Sequence, residues 1–233
     1  NFQGAVGITG ATVAVVDAGA IDLGASVVSG TYTVTATAGG GITNTGVLAI
    51  TNGATFKVDG GQSISLNQAN TFSSAVTFVP LSGTITAVTI RDSTALELQA
   101  LTTTGGLTVT AGGAVTQSGT LVIPGTTTIS AVNGSSVKQD VTLGDSSNNF
   151  GTLAITGADV TARDTNAIVL GASTVSGTYA VTAGDAVTQT GALAITGATT
   201  ISASGYNVTL NTATNNFQGA VGITGATVAV VDA

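Results

Sequence analysis

The chain ends as it begins. The eighteen residues NFQGAVGITGATVAVVDA fill positions 1–18 and recur unchanged at 216–233. An identity of that length is not a chance event, so a 215-residue period is built into the sequence. Either the array is a long tandem repeat, or the chain spans one unit plus its overlap with the next. On both readings residues 1–233 form a single continuous window, and 216–233 are the start of the next unit. This feature constrains the fold before any other. A repeat that cannot bury its apolar face alone must stack on its neighbours.

A shorter period lies inside the long one. The triplets Asn70-Thr71-Phe72, Asn148-Asn149-Phe150 and Asn215-Asn216-Phe217 mark it. Cutting after each Phe gives sub-repeats 3–72, 73–150 and 151–217. Each divides again into three pieces. The second pieces read VVSGTYTVTATAGGGITNTG, LTTTGGLTVTAGGAVTQSG and TVSGTYAVTAGDAVTQTG. The middle sub-repeat carries insertions around Val79-Pro80-Leu81-Ser82 and Val132–Gln139. Loops that bulge from a solenoid are sites where partners bind, although such a bulge also arises by neutral drift.

Within the pieces Val, Ile and Leu alternate with Thr and Ser. That period of two belongs to strands with one buried face. Gly, Asn and Asp punctuate the strands. No helical periodicity or capped helix occurs. The expectation is an all-β chain, without helices, wound as a parallel β-helix. Nine pieces imply about nine coils per 215-residue unit, rising about 43 Å at roughly 4.8 Å per coil. An antiparallel sandwich would need many two-residue hairpin turns. Asn52-Gly53, Asp59-Gly60 and Asn133-Gly134 are too few.

Composition narrows function by exclusion. Eleven acids face four basic residues, Lys57, Arg91, Lys138 and Arg163, so no basic face for nucleic acid is available. No apolar run approaches the roughly 18 residues of a membrane span. The chain has no Cys and no His. General-base and nucleophile chemistry is left to Asp, Glu97, Lys and Tyr. The acids are scattered, and the nearest pair beside a basic residue, Asp92 and Glu97, sits across a turn. The expectation is a non-catalytic chain with no cofactor and no metal.

Three sets of residues invite a functional reading. Phe72, Phe150 and Phe217 are either an exposed aromatic row or aromatic plugs packed over the lumen, with Asn70, Asn148 and Asn215 in the adjoining turns. The plug is favoured. Asp17, Asp92 and Asp164 align before an Ala-Ile or Ala-Leu strand. Calcium would need six to eight oxygens, and one Asp per three coils supplies too few. The favoured role is a turn Asp bonding its own backbone amides. All nine are candidate structural ladder positions. Thr-x-Thr pairs such as Thr31/Thr33, Thr84/Thr86 and Thr108/Thr110 would suit an ice-binding face only if they recurred in nearly every coil.

Segments such as LTVTAGGAVTQSGTL, TVSGTYAVTAGDAVTQTGALAITGATTISA and DVTLGDSSNNFGTLAITG resemble the repeat regions of filamentous-haemagglutinin-like exoproteins. These are giant bacterial surface proteins exported by two-partner secretion. The likeness is one of rhythm and composition, and it covers essentially the whole chain. It implies a right-handed parallel β-helix, an extracellular location on the bacterial surface, and an adhesive or fibrous role. The partners it implies are identical repeats, joined covalently or end to end, with other filaments or a host or cell surface beyond them. The alternative is a surface β-helix module that binds glycan or ice.

Overall fold

Short Val-, Ile- and Thr-rich runs broken by Gly cannot sustain long elements. In the computed structural model, which describes residues 1–233, they form 29 short strands and no helix. The strand pairings are parallel and run from each turn of the chain to the next. An antiparallel bridge, Val132 to Lys138, closes a protruding hairpin. The result is a β-solenoid of about eleven turns, with an 11-stranded sheet along one side and an 18-stranded sheet wrapping the rest.

Each regular turn has three sides: one five-residue strand and two three-residue strands. Val13–Asp17, Ile21–Leu23 and Ser26–Val28 make one turn. Tyr32–Ala36, Ile42–Asn44 and Leu48–Ile50 make the next. A three-residue strand buries its two ends and a five-residue strand buries positions one, three and five, because side chains alternate across a strand. The turns differ in length. Val13 pairs with Tyr32 across a short one, whereas Val115 pairs with Val141 across a turn lengthened by the hairpin insertion.

The inward side chains form one uninterrupted core of 54 residues. Tyr32, Phe56, Phe72 and Phe78 pack within it, with ring centroids 6.1–6.2 Å apart. Fully burying such a side chain contributes roughly 1.5–3 kcal/mol. Where two turns touch, some corners admit no side chain. A Cβ on Gly46, Gly119 or Gly191 would lie 1.9, 2.5 or 2.2 Å from a backbone nitrogen one turn away.

The count of nine coils per unit needs correction. In sub-repeats one and three the five-residue side lies in the 11-stranded sheet, at Val13–Asp17, Tyr32–Ala36, Ala54–Val58, Val160–Asp164, Tyr179–Ala183 and Thr199–Ala203. In the middle sub-repeat, beyond the five-residue Val76–Pro80 that opens it, that sheet receives three-residue strands, Leu96–Leu98, Val115–Gln117 and Val141–Leu143. The five-residue side has moved to the other sheet, at Val88–Asp92 and Leu107–Ala111. There it stacks across the corner between two short sides. Val88 and Ile90 pair with Ile64 and Leu66, while Asp92 pairs with Asn70 beyond the corner. At the next boundary Thr152-Leu153 pair with Val169-Leu170, and Thr156-Gly157 pair with Thr174-Val175.

The outline of the coil therefore turns by half at each boundary. The cause is two long strands in succession, Val76–Pro80 then Val88–Asp92 at the first boundary and Asn149–Gly157 then Val160–Asp164 at the second, while at the third Val221–Gly225 is followed by the shorter Val228–Val230. Each sub-repeat winds through three and a half turns. Val221 lies ten turns beyond Val13 in the 11-stranded sheet, and Val228 a half turn further. The repeat unit thus holds ten and a half turns and rises about 50 Å rather than about 43 Å.

Candidate functional site

A half-turn step breaks the match between adjacent coils. Backbone groups facing the mismatch lose their ladder partners, and an unpaired buried N–H costs roughly 1–3 kcal/mol. The nine residues marked by the sequence collect at these steps.

Phe72, Phe150 and Phe217 are buried. They plug the lumen and form no outer row. They do not stack on one another either, but on Ile50, Ile123 and Ile195 of the preceding turn. Their backbone N–H groups point toward the next turn, where the long strand ends in Asp. Phe72 N donates to Asp92 Oδ2 at 3.2 Å, and Phe150 N to Asp164 Oδ2 at 2.6 Å. Phe217 N donates to Asp232 Oδ1 at 2.9 Å, and Phe2 N to Asp17 Oδ2 at 3.0 Å. Each carboxylate spans a gap that no carbonyl reaches. Asp92 and Asp164 also accept from the amides two residues on, Thr94 N at 2.8 Å and Asn166 N at 2.9 Å. Asp17 Oδ1 has no hydrogen-bond partner of this kind. Burial pushes the Asp92 and Asp164 carboxyls above the ordinary aspartate value, and these hydrogen bonds pull partly back. Arg91 and Arg163 point outward from the same strands and make no ion pair with them.

Asn70, Asn148 and Asn215 are fully buried, and each ties neighbouring turns together. Their Oδ1 atoms accept from Leu48 N, Leu121 N and Leu193 N at 2.9–3.0 Å. Their Nδ2 atoms donate to Leu66 O, Leu143 O and Leu210 O of their own turn. Asn70 and Asn215 reach the turn above as well, at Arg91 O and Val231 O. Sequence reasoning missed the side chains that complete these corners. Asn44, Gln117 and Gln189 each donate to the Asn Oδ1 at 2.8–2.9 Å. The signal was present in the aligned tails ITNTG, VTQSG and VTQTG of the second pieces.

Elsewhere the surface is open. Outward positions of the long strands carry Thr, as at Thr33, Thr35, Thr108 and Thr110. They lie on opposite sides of the rod in different sub-repeats, interrupted by Lys57, Arg91 and Arg163. Asp92 and Glu97 border separate grooves. The larger, about 800 Å3, runs past Ser74, Thr94 and Glu97. The smaller, about 260 Å3, lies under the Val132–Gln139 hairpin beside Arg91 and Asp92. No group of three or more acids is placed to hold a metal ion. No helix is long and apolar enough to cross a membrane.

These features define a parallel β-solenoid repeat module with polar corners at regular intervals. The chain belongs to the family of repeats of unknown function (DUF5649), whose model matches residues 10–79, 85–156 and 157–224. Each match starts just before an Asp-ended long strand and stops within the long strand that precedes the next one. The family boundary therefore falls on the half-turn step. Neither a curated protein nor a solved structure matches the chain.

Proposed function

We propose that this chain is a non-catalytic shaft segment of a long β-helical filament or adhesin on the outside of a bacterial cell. One observation carries the reading. The second copy of the repeat stacks on the last turn of the first unit through the corner chemistry used at the internal boundaries. Phe217 N bonds Asp232, and Asn215 bonds Val231 O. A unit that docks its own successor in this way propagates by its own hydrogen-bond ladders, and stability becomes a sum over neighbours. The low charge content, 6%, limits like-charge repulsion between stacked positions. The resemblance of the repeat rhythm to filamentous-haemagglutinin-like exoproteins supports the surface location and export by two-partner secretion.

Electron microscopy of the purified chain tests the shaft. Rods about 50 Å long for each repeat unit are expected, and compact particles would overturn it. Protease shaving of intact producing cells tests the location. Loss of the chain from shaved cells is expected, and a chain protected until lysis would remove the extracellular part of the reading.

A further inference from the structure

The two copies of NFQGAVGITGATVAVVDA are identical in sequence and different in place. Val13–Asp17 lies in the 11-stranded sheet and pairs with Tyr32–Ala36. Val228–Val230, the same residues one period later, lies in the 18-stranded sheet and pairs with Val208–Leu210. The segment Val221–Gly225 occupies the 11-stranded sheet, whereas its counterpart in the first copy does not. The reason is arithmetic: three sub-repeats of three and a half turns leave a remainder of half a turn.

We infer that consecutive repeat units face opposite sides of the rod, so that the fibre is two-sided and its surface repeats only every second unit. The inference rests on the tandem-array reading above. It makes the Val132–Gln139 hairpin the feature to follow. Its tip, Gly134 to Val137, is exposed, and Val137 is 56% exposed. Hairpins of successive units then project in two opposed rows, about 50 Å apart along the axis and about 100 Å apart within a row. A partner that grips these hairpins would be bound on both sides of one fibre, and a single fibre could bridge two surfaces.

The chain has no Cys, so engineered thiol pairs report the placement directly. Outward-facing neighbours on adjacent parallel strands are roughly 4.8 Å apart, within reach of a short thiol-bridging reagent that fluoresces on reaction. Thr209 pairs with Ala229, so Thr209→Cys with Ala229→Cys bridges as fully as the mid-block control, Thr33→Cys with Thr55→Cys. An in-phase second copy would instead lie on Thr199–Ala203 and bridge Thr200→Cys with Ala229→Cys. Bridging of that pair overturns the half-turn offset and leaves the shaft standing. Bridging of neither pair, while the control bridges, overturns both. On a chain holding several units, an antibody fragment raised against the hairpin decorates alternate sides. Decoration along one side overturns the inference.

Discussion

The first and second sub-repeats are built from the same kind of coil and face opposite ways. In the first, the five-residue side lies in the 11-stranded sheet and the short sides meet across the lumen from it. In the second, a five-residue side covers that meeting point. Nothing in a single strand separates the two orientations. The run VAVVD contributes to both sheets with every residue unchanged. Orientation is inherited from the turn below and reversed where two long strands follow each other. The middle of a sub-repeat is then ordinary ladder, and the burden of each reversal falls on its Asn-x-Phe corner and the Asp above it.

This contrast can be broken at several points. The chain is a stack of neighbours, so local stability read by native-state hydrogen exchange is more informative than one global midpoint. The largest effect is expected for Asn148→Leu, which keeps the volume and strands Leu121 N and Leu143 O together with Gln117. Several orphaned groups at roughly 1–3 kcal/mol each imply a loss of about 3–6 kcal/mol around the second boundary. An unaltered exchange pattern there would show that the corner is incidental. Phe150→Ala should cost about 3–5 kcal/mol at the same boundary by leaving a cavity under Asp164. If the loss spread evenly over mid-block turns, the boundary would not be a local unit.

A backbone counterpart at the third Asn corner is Gly191→Ala, whose Cβ would lie 2.2 Å from Ala172 N. A loss of about 1–3 kcal/mol is expected from the forced separation of turns. A neutral result would mean that the corner yields more easily than its geometry implies.

Acid gives a smaller test with a definite sign. The folded-state values of Asp92 and Asp164 are raised by burial. Their stabilising contribution is fully present below the ordinary value of 3.8 and is lost as pH rises through the raised values. Asp159 is exposed and lowered by bonds from Thr178 N–H and its hydroxyl, so it runs the other way and loses its contribution as pH falls. Protection at the boundaries, which is exchange relative to the intrinsic amide rate at each pH, should therefore rise on acidification, and Asp92→Asn should flatten that slope at the first boundary. A fall in protection at both boundaries in acid would contradict the assignment. The smallest effect is expected from deleting Gly134 to Val137 and closing the gap. The hairpin is anchored by Val132 to Lys138 and otherwise exposed, so stability should change by no more than about 0.5 kcal/mol. A larger loss would make the hairpin part of the core.

Much of this architecture is legible in the amino-acid sequence. Alternating Val and Thr, absent helix signals and the nested repeats specify a stacked all-β solenoid. They do so because strand period and repeat period are local properties of the chain. The Asn-x-Phe triplets and the aligned Asp residues were legible as special positions, and so was the burial of the Phe. Their connection was not. Phe72 and Asp92 are twenty residues apart, and only the winding brings the N–H of one to the carboxylate of the other. Asn44, Gln117 and Gln189 stayed unnoticed because a polar residue in a Thr-rich strand looks like surface until its neighbours above and below are known.

The amino-acid sequence alone determined that these residues form short strands, that like pieces stack, and that the opening segment returns after one long period. Tertiary structure decided which side each strand takes. Side is a running sum over all earlier turns, and half a turn gained at each boundary sends identical segments to different sheets. A period in sequence is counted in residues, but a period in space is counted in whole turns, and ten and a half is not a whole number.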